Sequence, residues 1–178
     1  MAVDPTAESI LAEVDAQVRH LHKGLSWEIG PGSTAEWAFT LSPDLEPALM
    51  QIATDAVERA PVLEKWEFHS RRRPKQWERR FEVRGIGGKF CVDVSDWTFV
   101  LLQYVDGGTG VLVCPSGPIG HDVEQRGYAL RVLMESELGE TVLLDDDVEF
   151  ELLDDVEEAL RGRLRPIREL RAAFGLGD

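Results

Sequence analysis

Apolar residues recur along this 178-residue chain with two different periods. Ile10, Val14, Val18 and Leu21 follow a helical spacing, with Asp4 placed to cap the helix and Pro5 at its first position. His20, His22 and Lys23 suit the last turn, where positive charge complements the helix dipole, and Gly24 suits the stop. The period then falls to two. Residues 25–29 and 36–41 alternate apolar and polar side chains around Gly30-Pro31-Gly32-Ser33, which predicts a β-hairpin. Ser42 or Asp44 can cap a second helix, whose inner face would carry Leu49, Ile52, Ala53, Ala56, Val57 and Ala60 before Pro61 ends it. Residues 65–69 read as the strand that follows.

The second half repeats these signals. Residues 81–84 and 89–94 flank Gly85-Ile86-Gly87-Gly88 and predict another hairpin. The most strand-like stretch is 97–105 with 110–114, joined by Asp106-Gly107-Gly108-Thr109-Gly110. Nearly every residue in both runs is apolar, as in strands covered on at least one face, so this hairpin is expected at the centre of a sheet. Val123, Leu130, Leu133, Met134 and Leu138 keep a helical period after Asp122, with Gly127 a weak point and Gly139 the stop. Residues 148–152 predict a strand. Two short helices follow, one from Asp154 or Asp155 and one from Pro166, the latter turning Ile167, Leu170 and Phe174 inward and stopping at Gly175.

These elements predict a single α+β domain over 1–178, a largely antiparallel sheet of β-hairpins with helices packed mainly on one face. Residues 25–69 and 97–152 both read hairpin, helix, strand, so two ββαβ units are one arrangement and coincidence of element order is the other.

The net charge of −14 changes the picture of possible partners. An acidic surface repels a phosphate backbone, which argues against general nucleic-acid binding and, if a protein partner exists, favours a basic one. Acidity that merely keeps the chain soluble is the plainer alternative. Cys91 and Cys114 fall in predicted strands and read as small buried hydrophobes of a reducing compartment. The start MAVDPTAES lacks the pattern of a signal peptide, and no apolar run reaches membrane-spanning length, so a cytoplasmic protein without a membrane anchor is expected.

Candidate chemistry is sparse. There is no P-loop, nucleophile elbow or metalloprotease motif, and no cofactor is expected. Gly85-Ile86-Gly87-Gly88 lacks the following helix that a phosphate loop needs. Carboxylates crowd the segment from Glu135 through Glu140 and Asp145 to Glu151; Glu137, Glu149 and Glu151 are candidates for a hard divalent cation, against the reading of a solvated acidic face. His121 beside Asp122, with Glu135, offers a proton-transfer group in a Gly/Pro loop, although no nucleophile lies nearby. Asp93 and Asp96 stand at a strand end, where they can also simply cap a turn.

One basic island interrupts the acidic chain: Arg71, Arg72, Arg73, Lys75, Arg79 and Arg80, with Trp77 among them. Arginine beside an aromatic can hold a phosphate, or dock on an acidic face of the same chain or of a second copy; in an acidic protein the last two rank first.

Three pieces taken together, Trp27-Glu28-Ile29 before Gly30-Pro31-Gly32, Ala60-Pro61 before Trp66-Glu67-Phe68, and Leu138-Gly139-Glu140, resemble a family of uncharacterised bacterial domains of unknown function, from about Trp27 to Phe174. The resemblance implies an α+β fold and a bacterial cytosolic origin, and carries no functional residue over. The segregated charge leads to the expectation of a non-enzymatic interaction or regulatory module that meets a protein partner or forms a homodimer. The alternative is a small-ligand-binding protein or enzyme using the carboxylate and histidine candidates, with or without a divalent cation.

Overall fold

A computed structural model describes residues 5–85, 88–117 and 123–177. The fold is α+β, built on antiparallel hairpins, and the chain divides into two compact units, residues 1–72 and 73–178.

In the first unit, helix α1 (Pro5–Leu21) leads into strands β1 (Ser26–Pro31) and β2 (Trp37–Ser42). A 3₁₀ turn at Pro47–Leu49 runs into α2 (Met50–Glu58), and β3 (Trp66–His69) closes the unit. The sheet order is β1-β2-β3: the hairpin is antiparallel, and β3, arriving through a helical crossover, lies parallel to β2. Gly32 is required in the hairpin turn, because a Cβ there would lie 2.5 Å from the Ala35 carbonyl oxygen. Helix α2 starts later than the sequence pattern suggests. Asp44 and Leu45 both sit at φ 60°, a left-handed conformation that cannot continue into a helix, and the helical turns begin only after it. Val18, Leu25, Leu41, Leu49 and Ala53 form the core, with Val14, Trp27, Phe39 and Val57 packed at its edge.

In the second unit, β4 (Arg80–Gly85) and β5 (Gly88–Asp93) form a two-stranded antiparallel ladder. Strands β6 (Thr98–Gln103) and β7 (Thr109–Cys114) form the apolar hairpin, α3 (Val123–Asp145) follows, and β8 (Val148–Leu152) returns parallel to β7. The short α4 (Glu158–Arg161), β9 (Arg165–Pro166) and α5 (Leu170–Ala173) complete the unit, and the four-stranded order is β8-β7-β6-β9. Phe99, Val111 and Val113 are fully buried, as are Leu133 and Met134 of α3, which packs on β8. As expected, Gly139 stops the helical run, at φ 73° and ψ 163°; beyond it a second helical stretch, not expected from the sequence, continues as far as Asp145.

Each unit therefore contains an antiparallel hairpin, a helix, and a strand returning parallel to the second hairpin strand. The strands expected in one sheet are distributed over three. Alternation identifies which residues form a hairpin but carries no information about which hairpins join. Cys114 is buried as expected, whereas Cys91, on β5, is exposed.

Candidate functional site

Arg72, Arg79 and Arg80 of the basic island pair with carboxylates of their own chain. In the first unit, Arg72 donates to Ser26 Oγ at 2.7 Å and to Asp44 Oδ1 at 3.3 Å, with Glu28 Oε2 at 3.8 Å. In the second unit, Arg80 grips Asp93 at 2.6 Å, and Ser95 donates to the same carboxylate, which holds it well below the usual range. Trp77 and Arg79 reach Glu137, whose side chain is 0% exposed. The Trp77 indole donates to Glu137 Oε1 at 2.9 Å, Arg79 Nε lies 2.9 Å from the same oxygen, and Arg171 Nε donates to Oε2 at 3.1 Å. Arg171 also donates to the carbonyl oxygens of Ser136 and Lys75, and Lys75 donates its own backbone N–H to Ser136 O at 2.8 Å. Arg71, Arg73 and Lys75 have further interactions in the structure.

The acidic candidates separate. Glu137 is consumed in the arginine cluster. Glu135, nearly buried, accepts from Arg131 Nε at 2.5 Å one helical turn earlier. Glu149 and Glu151 stand exposed on β8, opposite Gly110 and Leu112 of β7. Glu137, Glu149 and Glu151 do not converge, and among the described residues no group of three or more His, Cys, Asp or Glu is placed to hold a metal ion. His121 and Asp122 lie outside the described residues. Asp96 is exposed beside the Asp93–Ser95 turn.

Among the described residues, the first unit carries a groove of about 540 Å³. Its floor is Phe39 and Leu41 of β2 with Phe68 of β3. Phe39 and Phe68 pair directly in register, their rings 6.2 Å apart. One wall is Val14 and Val18 of α1; the other is Ala56, Val57 and Ala60, on and just after α2. On the α1 side the rim is polar, formed by Glu13, Gln17 and His20 at helical spacing. The apolar stripe of α1 is half covered: Val18 is buried and Val14 packs against the core, but Ile10 is 57% and Leu21 51% exposed. Two residues along the strands from Phe39 and Phe68, on the same face, Trp37 and Trp66 pair at 6.3 Å, and Trp37 is 43% exposed.

The volume and the apolar lining with a few polar groups at one edge are those of a binding site. Charge and motif reasoning missed this groove, since its residues read as ordinary core. The available signal was the run of small residues Ala53, Ala56 and Ala60 facing a helix with an apolar stripe.

No protein-family model matches the chain, and no curated protein or solved structure is significantly similar to it. No helix among the described residues is long and apolar enough to cross a membrane.

Proposed function

We propose that this protein is a non-enzymatic interaction module and that the groove between α1 and α2 receives apolar side chains of a partner polypeptide. The observation that carries this reading is the groove itself: about 540 Å³ of mainly apolar space, continued by exposed apolar residues on α1 and at Trp37. Exposed apolar surface of this kind marks binding sites more often than it decorates a free surface. The acidic surface contributes steering of the encounter, and Arg72, Trp77 and Arg79 serve the protein's own structure.

Titration with the neutral, polarity-sensitive dye Nile red tests the site. Bound dye should blue-shift, and Ala56→Trp, which fills the groove, should weaken binding on the order of tenfold. Val57→Glu should have the same effect by placing a charge on the apolar wall. Circular dichroism establishes that each variant is folded. Absence of dye binding, or binding that both folded variants retain, overturns the proposal.

A further inference from the structure

We infer that the occupant of the groove is a cationic amphipathic helix, a segment that lays an apolar face on Phe39 and Phe68 and turns lysine or arginine toward the α1 rim. This inference rests on the groove being the contact site. Three observations carry it.

The residues that line the groove include one carboxylate, Glu13, and no lysine or arginine; Glu13 stands on the rim with Gln17 and His20 one and two turns further on. The surroundings have the same sign. Residues 1–72 contain twelve aspartates and glutamates against six lysines and arginines. An anionic ligand such as a fatty carboxylate would bring like charge to this rim, whereas a cation gains from both Glu13 and the wider field.

The shape selects a helix over a compact small molecule. The apolar surface does not stop at the groove. It runs along α1 to Ile10, one turn before Val14, and along the strands to Trp37 and Trp66. An amphipathic helix engages such an elongated surface through anchors at i, i+4 and i+7. It also keeps its backbone hydrogen bonds internal, so the apolar floor is asked to satisfy no backbone polar group.

The test uses the full chain and three fluorescein-labelled synthetic helical peptides with identical leucine positions, the remaining positions being Lys, Gln or Glu. Fluorescence anisotropy should give the order Lys, then Gln, then Glu, with the Lys peptide about threefold to tenfold tighter than the Gln peptide at low salt, a gap that added salt narrows. Glu13→Gln should reduce that gap at least twofold and leave the Gln peptide unchanged. Ala56→Trp, which keeps the net charge, should weaken all binding on the order of tenfold and so separates groove binding from diffuse attraction to an acidic protein.

If the Lys and Gln peptides bind equally, or if the Lys preference survives Glu13→Gln unaltered, the inference is overturned while the groove remains the contact site. If no peptide binds, or if Ala56→Trp changes nothing, the groove is not the contact site and both readings fall.

Discussion

Replacing Glu137 by Gln is the sharpest test of how the second unit is held together. The carboxylate is fully buried on α3 and meets donors at both oxygens: Trp77 at Oε1, and Arg79 and Arg171 at Oε2, all within 2.9–3.3 Å. Glutamine keeps the shape but must point its NH₂ at one of these donor sets, whichever way it is turned. It also leaves two guanidinium groups without their counter-charge. Breaking a buried ion pair from one side costs about 3–5 kcal/mol. Arg79 retains some access to water, with its side chain 26% exposed, while Arg171 is 8% exposed. The lower end of the range, about 3 kcal/mol, is therefore expected. At about 2–4 °C per kcal/mol for a chain of this size, the unfolding midpoint should fall by about 6–12 °C. Urea denaturation followed by far-ultraviolet circular dichroism gives the free energy directly. Hydrogen exchange should locate the loss in residues 73–80 and around the break in α3, leaving β1 and β2 protected as before. A loss under about 1 kcal/mol, or exchange that rises equally in both units, would refute the assignment of Glu137 as the buried counter-charge of Arg79 and Arg171.

Three further outcomes are expected. Gly32→Ala should destabilise the first unit by about 1–3 kcal/mol, because its Cβ would press on the Ala35 carbonyl and neither backbone segment can yield cheaply; a thermal melt unchanged from wild type would contradict the clash. Glu67 accepts hydrogen bonds from the Thr34 hydroxyl, the Ser33 and Thr34 amides and His69, which hold its carboxyl far below the ordinary value of 4.5. Its contribution is thus present above that value and disappears as pH falls below it, so acid titration of stability should be shallower in Glu67→Gln than in wild type, and parallel titration curves would count against it. Of the two thiols, exposed Cys91 should react rapidly with Ellman's reagent, while Cys114, buried and with its pKa raised by desolvation, should react only on unfolding; two equal fast phases would contradict the burial.

Local periodicity carried much of the fold. The hairpins around Gly32 and Gly107, the strand at Trp66–His69 and the start of α1 at Pro5 all follow from residue spacing and turn chemistry, which act within a few residues. What spacing could not supply was the identity of contacts between distant segments. Glu137 read as one of many surface carboxylates, yet it lies four residues after Leu133 and seven after Leu130, on the helix face those leucines bury. A glutamate on an apolar stripe asks for a buried cation, and the island at Arg79 was the available source. The two oppositely charged segments that suggested separate surfaces thus supply the two halves of one buried cluster. The groove was hidden for the opposite reason: Val14, Phe39 and Val57 have the composition of core, and residue type alone does not tell a filled space from an open one.

The break at Gly139 has a consequence for the order in which the chain acquires structure. In a continuous helix the Ser136 carbonyl would accept from the amide four residues on. At the interruption that oxygen accepts from the Lys75 amide and the Arg171 guanidinium. Residues 73–80 therefore dock on a socket that needs Arg171, thirty-four positions after Glu137 in sequence. During synthesis from the N-terminus, residues 1–72 can fold while the second unit is still emerging. Until Arg171 leaves the ribosome, Glu137 lacks one of its two guanidinium partners and the Ser136 carbonyl lacks its guanidinium partner. Final burial of the cluster is thus a late event, set by the emergence of a single arginine.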